Sequence, residues 1–510
     1  NDLLSYWKDD PRTQVIALYL ESLGNPRKFA RLAPQVARKK PIVAVKSGRS
    51  AAGTRAASSH SAALASVDIG VDALFAQAGV IRTTTLEELF DVVALLSSQP
   101  VPAGRRIGVV TNAGGPGILL ADACEAHGLS LPTLAPETIE RLRAFLPAQA
   151  GLSNPIDMIA SASPEQYERT IEVVAADPAI DALVVIYVPP LVTRPEEIAA
   201  AIARGAGKVP ADKPIASVFL SARGTPPALS GGPRGKIPSY SFPENAAIAL
   251  AHATRYGEWR RRPCGEVLHL DDERERQVRS AMGQARGERP QARWLAPAAA
   301  LDLLARAGIP VAAWRRTEPR AEAAADAANE LGYPVVLKAI APDLLHKTEA
   351  GGVALGLSSR GAVLAAAASM TARFASAGAA IEGFLVQEQV RSGVEALVGI
   401  TTDPSFGPLV VAGLGGVQVE LLRDVAVRLT PLSDLDAAEM LAGLRAGKLL
   451  DGFRGAPPAD RAALVEIIRR IAALAEIAPE IAELDLNPVI VLPAGQGAVV
   501  ADARIRLSGE

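Results

Sequence analysis

One histidine of this sequence, His60, lies in a run of small residues directly after a basic, glycine-containing loop. The run reads Ser-Ser-His-Ser-Ala-Ala over residues 58–63, and residues 46–53 read Lys-Ser-Gly-Arg-Ser-Ala-Ala-Gly. Small side chains let an anion approach the backbone, and unpaired N–H groups in such a turn attract it. An imidazole near pH 7 can act as a nucleophile toward phosphorus without a strong base. The pattern is that of a phosphoryl acceptor, although a buried, hydrogen-bonded histidine at a helix start would explain one such residue taken alone.

A second anion-binding pattern follows the apolar run at residues 106–111, which predicts a buried strand. The next residues read Asn-Ala-Gly-Gly-Pro-Gly and contain Gly114, Gly115 and Gly117, and a helix is predicted over 118–127. A strand, a glycine-rich turn and a helix N-terminus together favour binding of a phosphate-like anion.

A lysine and a second histidine form the third pattern. Lys338 closes the apolar run at 332–338, which predicts a buried strand, and His346 and a Gly-Gly pair at 351–352 follow it. A lysine at a strand end can neutralise a nucleotide phosphate, and an N–H-rich glycine turn can close over phosphates. A solvated edge charge would explain the lysine equally well.

The last pattern consists of oxygen-bearing side chains near the end of the sequence. Asn487 and Asp502 fall on two short predicted strands that we expect to pair. Mg²⁺ prefers a few protein oxygens together with phosphates and water, so the two side chains are candidate ligands. Taken singly, they would more often be ordinary polar groups at strand ends. Another strand is predicted at 384–389, with 394–399 as its hairpin partner.

Composition limits the class of protein that these patterns belong to. The 510 residues are 49% hydrophobic but only 4% aromatic, which suits helices and buried parallel strands. A formal net charge of −2 gives no reason to expect a nucleic-acid partner. The two cysteines have no metal-binding or disulfide spacing, and no apolar run is long enough to cross a membrane. We therefore expect a cytoplasmic protein without nucleic-acid or membrane partners.

The order of predicted elements indicates several α/β domains. Apolar strands at 15–20 and 41–46 flank a helix at 26–38, which predicts a doubly wound sheet. Ligands gather at the carboxyl ends of such strands, where Glu21 and the loop at 46–60 both begin. We predict domains at 1–100, 101–260 and 294–510, with a polar, partly helical linker at 261–293.

Taken together in this order, the motifs resemble a known family. Nearly the whole sequence is similar to the nucleoside-diphosphate-forming acyl-CoA synthetases, the ADP-forming acetate–CoA ligase family within the succinyl-CoA synthetase superfamily. The motifs that carry the resemblance lie at 58–65, 111–117, 154–157, 346–353 and 484–488. The resemblance implies an α/β fold with flavodoxin-like, succinyl-CoA synthetase-like domains followed by an ATP-grasp domain.

The resemblance also implies an activity and roles for individual residues. Such enzymes join a carboxylic acid to coenzyme A (CoA) with ATP, releasing ADP and phosphate, through acyl phosphate and phosphohistidine intermediates. His60 matches the first phosphohistidine, Glu21 the carboxylate that orients it, and His346 a second histidine that carries the phosphoryl group to the nucleotide. The remaining matches are Gly114, Gly115 and Gly117 for the phosphoryl group, Lys338, Gln387 and Glu388 for ATP, and Asn487 and Asp502 for Mg²⁺, with Asp485 as a further candidate.

The sequence departs from the family in one respect, and two alternatives stay open. Family members carry an N-terminal CoA-binding Rossmann domain that is not visible here, so we expect a fragment or a processed piece of a homodimeric enzyme. One alternative is an ATP-grasp carboxylate ligase with an amine acceptor, which would leave His60 and the 114–117 turn unused. The other is a non-catalytic module that senses nucleotide or acyl-CoA.

Overall fold

The computed structural model describes most of the chain as two compact units, Asn1–Pro263 and Cys264–Glu510. The described residues are 1–48, 67–190, 194–221, 224–288, 294–341, 351–390, 393–415 and 424–508. His60 and His346 lie outside the described residues. Within the described residues, no helix is both long enough and apolar enough to cross a membrane.

The first unit begins with a three-stranded parallel sheet in the order β1-β2-β3. Its elements are α1 (Asp2–Asp9), β1 (Ile16–Leu20), α2 (Pro26–Ala37), β2 (Ile42–Lys46), α3 (Val67–Ala78), β3 (Ile81–Thr83) and α4 (Leu86–Ser98). The predicted alternation of strand and helix is confirmed here. Asn25 starts α2 by accepting a hydrogen bond from the N–H of Lys28 at 2.9 Å, and Pro26 occupies the first helical position.

A second parallel sheet, in the order β5-β4-β6-β7-β8, completes the first unit. Its elements are β4 (Ile107–Thr111), α5 (Gly114–Ala126), α6 (Pro136–Arg143), β5 (Ile156–Asp157), α7 (Pro164–Ala175), β6 (Ala182–Tyr187), α8 (Pro195–Ala206), β7 (Ile215–Phe219), β8 (Ser239–Tyr240) and α9 (Pro243–Arg261). Alternate residues of β6 belong to two different cores: Val185 packs with α7 and α8, and Val184 with α5 and α9. Helices therefore cover both faces, which confirms the predicted doubly wound sheet.

The 19-residue helix α9 ties the two sheets of this unit together. The hydroxyl of Tyr256 donates to the carbonyl of Ala37 at 2.7 Å, and the guanidinium of Arg38 lies 4.7 Å from the centroid of the Trp259 ring. Gly79 has a positive φ of 66°, and a Cβ there would overlap the Trp259 ring. Glycine is required at that position both by its backbone conformation and by the close approach of the indole.

The second unit contains a small antiparallel sheet in the order β11-β10-β12-β9. Its elements are β9 (Trp314–Thr317), α12 (Ala321–Leu331), β10 (Val335–Ile340), β11 (Val353–Leu357), α13 (Arg360–Ser376) and β12 (Gly383–Glu388). Helices α12 and α13 cover one face, where Leu337 and Val386 are buried. The apolar run that predicted a strand ending at Lys338 continues through Ala339 and Ile340, because both pair with β12. Lys338 therefore lies within β10 rather than at its end.

A larger antiparallel sheet, in the order β15-β14-β13-β16-β17 with β18 also on β16, forms the rest of the second unit. Its elements are α10 (Asp272–Glu288), α11 (Pro297–Arg306), β13 (Val394–Asp403), β14 (Gly407–Leu414), β15 (Val425–Leu429), α14 (Asp434–Ala442), α15 (Arg461–Ile477), β16 (Ile481–Val491), β17 (Ala498–Val500) and β18 (Ala503–Leu507). The predicted β12–β13 hairpin is wrong. Strand β13 pairs with β14 and β16 instead, because its alternate apolar residues complete the core beneath α15.

The segment predicted as a linker contains helix α10, which is packed rather than extended. Its residues Val278, Ala281 and Met282 are buried in the same core as α11 and α15. The helix therefore contributes to the second unit, although its polar composition resembles that of a connector. The three-domain division of the chain stays a prediction.

Glu88 of α4 offers a test of the packing between α4 and α9. Its carboxylate contacts Nε2 of His252 at 2.5 Å and accepts from the N–H and hydroxyl of Thr84 at 2.7 and 2.6 Å. Burial raises the pKa of Glu88, but these hydrogen bonds outweigh it and lower the pKa to about 2. The stabilisation is therefore complete above the pKa of an unfolded glutamate and is lost as the pH falls toward 2.

We expect Glu88→Gln to lower the free energy of unfolding by at most about 3 kcal/mol at neutral pH, with the difference from wild type vanishing near pH 2. Chemical denaturation between pH 2 and 7 measures this difference. The control is Glu87→Gln on the same helix, whose exposed carboxylate accepts from Asn245. Equal pH dependence of the two variants would contradict the assignment.

Candidate active site

The glycine turn of the first unit is held rigidly at the carboxyl edge of its second sheet. The hydroxyl of Thr111 accepts from the N–H of Ala113 at 3.0 Å. The buried amide of Asn112 donates to the carbonyl of Val188 and accepts from its N–H, both at 2.9 Å. This amide pairing fixes the turn between β4 and β6, the place where parallel sheets bind ligands. Asn112 was not singled out from the sequence. Its position between a predicted strand and a glycine turn was the signal that could have indicated this role.

Helix α5 begins at Gly114, four residues earlier than predicted, so all three predicted glycines lie in its first turn. Its N-cap residue, Ala113, gives no side-chain hydrogen bond. A Cβ on Gly115 would meet no atom of the described residues within 4 Å, whereas one on Gly117 would lie 3.3 Å from Pro155 and Thr111. Gly117 is therefore closely packed, whereas Gly115 borders open space, among the described residues, at an uncapped, electropositive helix end.

The Asn-Pro-Ile-Asp motif at 154–157 supports this turn from below. The Asn154 side chain accepts from the N–H of Val109 at 3.0 Å and donates to the carbonyl of Ile107 at 2.8 Å, so it takes the place of a strand partner. The Asp157 carboxylate accepts from the N–H of Ile159 at 3.0 Å. Ile159 has a φ of 65°, an uncommon and costly conformation for a β-branched residue. Backbone strain is thus concentrated beside the glycine turn.

Glu21 is exposed and directly follows β1, at the edge of the first sheet. The end of β2 lies beside it, since the N–H of Ser47 donates to the carbonyl of Leu20 at 2.9 Å. Burial lowers the pKa of neighbouring Lys46, and the carboxylates of Asp68 and Glu21 oppose that shift. The chain then enters residues 49–66, which contain His60, so the predicted Glu21–His60 contact falls outside the described residues.

In the second unit, two predicted ligand-binding residues contact each other. Nζ of Lys338, on β10, donates to Oδ1 of Asp502 at 2.7 Å and to the carbonyl of Ala501 at 2.8 Å. The side chain of Lys338 is 9% exposed, and that of Asp502 is 25% exposed. The ion pair links the small sheet to the turn between β17 and β18 of the large sheet.

Asn487 lies on the strand opposite Asp502. Strand β16 is one long strand, and it pairs with β17 through Val489 and with β18 through Leu486, so Asn487 falls between the two pairings. The N–H of Ala501 donates to the carbonyl of Pro488 at 3.0 Å. The amide of Asn487, on β16, and the carboxylate of Asp502, in the turn between β17 and β18, supply hard oxygen atoms of the kind that Mg²⁺ prefers.

Strand alternation places Asp485 on the same face of β16 as Asn487, opposite the buried Leu484 and Leu486. Among the residues that the structure describes, no group of three or more His, Cys, Asp or Glu side chains could hold a metal. A magnesium site that takes most of its oxygens from phosphate and water does not need such a group.

Gln387 and Glu388, the predicted adenine and ribose residues, end β12. Gln387 is 2% exposed, and its Nε2 has no hydrogen-bond partner among the described residues. Because side chains alternate along a strand, Gln387 and Leu385 share one face, and Leu385 is the register partner of Lys338. Gln387 therefore faces the same side of the small sheet as Lys338. Glu388 is exposed at the strand end, with its N–H donating to the carbonyl of Ala313 at 2.8 Å.

Three family models match successive parts of the chain. A succinyl-CoA ligase-like flavodoxin domain matches residues 1–96, a ligase-CoA domain matches 107–256, and an ATP-grasp domain matches 286–507. The flavodoxin-like and ATP-grasp parts of the predicted fold are confirmed by these matches.

Relatives align with the whole chain. The ADP-forming acetate–CoA ligase I of Archaeoglobus fulgidus is 35% identical over 100% of this chain and 72% of its own length. The ADP-forming 4-hydroxybutyrate–CoA ligase of Nitrosopumilus maritimus is 31% identical over 99% of this chain and 72% of its own length. The apo structure of an acetyl-coenzyme A synthetase from Ca. Korarchaeum cryptofilum is 32% identical, covers 51% of this chain and 56% of its own, and has a TM-score of 0.47.

The alignments with the two ligases run through both units, so they support neither an amine-accepting ATP-grasp ligase nor a non-catalytic module. The glycine turn, the Lys338–Asp502–Asn487 group and the full-length relatives lead to one conclusion: the chain belongs to the family of ADP-forming acid–CoA ligases, enzymes that join a carboxylic acid to CoA at the expense of ATP.

Proposed function

We propose that this chain performs acid–CoA ligation by passing a phosphoryl group from ATP to His346, then to His60, and then to a small carboxylic acid. The thiol of CoA then attacks the acyl phosphate, which releases inorganic phosphate and forms the thioester. The observation that supports the proposal is a glycine turn at a helix N-terminus in one unit and the Lys338–Asp502–Asn487 group in the other, each suited to a phosphate. Two histidines suit such a pair of sites, because phosphoryl transfer requires contact at bonding range.

In the second unit, Lys338 would contact the nucleotide phosphates and Gln387 and Glu388 the adenine and ribose. The unpartnered, buried Nε2 of Gln387 supports this role, because such a group is costly unless a ligand satisfies it. Asn487 and Asp502 would hold Mg²⁺, with Asp485 nearby. The metal would supply positive charge beside the phosphate oxygens, while Lys338 aligns the nucleotide for in-line transfer.

In the first unit, the N–H groups at Gly114, Gly115 and Gly117 would hold the phosphoryl group. Glu21 would accept a hydrogen bond from the second ring nitrogen of His60, which fixes the tautomer and stabilises the charged phosphoimidazole. The acid itself stays open, since relatives carry the names of acetate and 4-hydroxybutyrate ligases. A homodimeric state and a cytoplasmic location also stay predictions.

Radioactive labelling tests the relay directly. Incubation with γ-labelled ATP and Mg²⁺ should give an acid-labile, base-stable phosphoenzyme. His346→Ala should abolish this labelling, because the methyl side chain of alanine cannot accept a phosphoryl group, while labelled acyl phosphate should still modify His60. His60→Ala should be labelled from ATP but form no acyl-CoA. Normal ATP-dependent labelling of the His346→Ala protein would remove His346 from the path.

Glu21→Gln tests the orienting carboxylate. The substitution keeps the shape and removes the charge, so phosphoryl transfer should slow by roughly ten- to a hundredfold. Thermal stability should change little, because Glu21 is exposed. Rapid-quench measurement of His60 phosphorylation gives the rate, and Glu125→Gln, which alters an exposed carboxylate on α5, is the control. A wild-type rate in Glu21→Gln would refute the pairing.

Gly115→Ala tests the phosphoryl cradle. In the part of the chain that the structure describes, the added methyl group meets no atom within 4 Å, so the melting temperature should hold or rise, as expected for Gly→Ala in a helix. The methyl group would fill the approach to the helix N-terminus, and we expect acyl-CoA formation to fall by about a hundredfold or more.

Gly283→Ala is a matched control, because it lies in helix α10 and a Cβ there also has open space around it. It should give a similar thermal shift with unchanged activity. If Gly115→Ala keeps wild-type activity, the open space at this turn is not the phosphoryl site.

A further inference from the structure

The residues that would bind the two parts of a magnesium nucleotide are bound to each other. Lys338, which would contact phosphate, donates to Asp502, which would contact the metal, at 2.7 Å. Nζ has three donors, and a second one is directed to the carbonyl of Ala501 at 2.8 Å. At 9% exposure, Lys338 has little contact with water. In the absence of a ligand, the ammonium of Lys338 and the carboxylate of Asp502 therefore largely neutralise each other.

Each ligand alone would break this pair at a cost. A phosphate that takes Lys338 leaves the Asp502 carboxylate without its cation, in the region where the phosphate places further negative charge. A metal ion that takes Asp502 leaves the largely buried Lys338 ammonium facing another cation. Separating a poorly solvated ion pair and leaving one partner uncompensated is strongly unfavourable. A magnesium nucleotide avoids this, because it brings an anion for Lys338 and a cation for Asp502 at the same time.

We propose that the Lys338–Asp502 ion pair acts as a latch that opens only for metal and nucleotide together, so that each ligand is held off when it arrives alone. The latch rests on the proposed nucleotide site of the second unit and adds to it a selection among ligand forms. Nucleotide without a divalent cation, and free Mg²⁺, would both bind weakly.

The neighbouring strands supply a matched control pair. Nε of Arg506, on β18, lies 3.0 Å from a carboxylate oxygen of Glu483, on β16. This pair joins β16, the strand that contains Asn487, to β18, the strand that begins directly after Asp502. Removing one charge of this control pair changes the local net charge by one unit, as Asp502→Asn or Lys338→Met does. It leaves the contact between Lys338 and Asp502 in place.

Isothermal titration calorimetry with ADP in the presence of a chelator tests one half of the latch. In Asp502→Asn the lysine is released from its carboxylate, so metal-free ADP should bind at least about tenfold tighter than to wild type. The further gain on adding Mg²⁺ should shrink correspondingly. Glu483→Gln should leave metal-free binding within about twofold of wild type. Unchanged or weaker metal-free binding by Asp502→Asn would overturn the proposal, as would an equal gain in Glu483→Gln.

The metal half of the latch is tested by Mn²⁺ binding in the absence of nucleotide. The decrease of the electron paramagnetic resonance signal of free Mn²⁺ measures this binding. Lys338→Met frees Asp502, so Mn²⁺ alone should bind about tenfold tighter than to wild type. Arg506→Met is the control and should show no such gain. Each variant thus gains affinity for one ligand, a reciprocal pattern that a purely structural ion pair would not give.

These measurements separate the latch from the nucleotide site itself. If wild type fails to bind ADP even with Mg²⁺, the proposed nucleotide site is wrong. If wild type binds the magnesium nucleotide but neither variant gains affinity for its single ligand, only the latch is wrong. Melting curves identify a variant that does not fold, and the other variant then decides by itself.

Discussion

The ion pair between Lys338 and Asp502 is the contact around which the candidate nucleotide site of the second unit is arranged. It connects two sheets that are built separately: Lys338 is fixed by its place within β10, and Asp502 by the turn between β17 and β18. One side of the small sheet is covered by α12 and α13, and on its other side Ile340 and Leu385 pack into the core of the large sheet. Gln387 and Lys338 face that side, and the pair brings the oxygens of Asp502 and Asn487 to it.

The first unit meets a different constraint, which is to keep a glycine turn rigid. Glycines allow close approach of an anion but cost conformational entropy, so the turn needs support from outside. Two buried or half-buried asparagine side chains provide it, Asn112 by pairing with Val188 and Asn154 by bonding the edge of β4. A Cβ at Gly117 would be crowded, whereas one at Gly115 would meet no described residue, so the two glycines are under different steric constraints.

Some features could be predicted because they depend on local pattern. Continuous apolar runs gave strands β1, β2 and β4 of the first unit to within one residue. Pairing between strands was harder, since β13 has the apolar pattern of a hairpin partner for β12 but joins β14 and β16. Helix α10 shows the same limit: its polar composition indicates a connector, yet three small or apolar residues suffice to pack it into the core.

By itself, the sequence determined the order of the motifs, and that order was enough to identify the family and its reaction. It also determined the α/β class, because the hydrophobic periodicities of strands and helices depend only on residues that are close together in the sequence. Tertiary structure alone decided that Lys338 meets Asp502, residues 164 positions apart, and that Asn487 lies opposite that pair. Contacts at such separation depend on how two sheets pack, and no local periodicity encodes that packing.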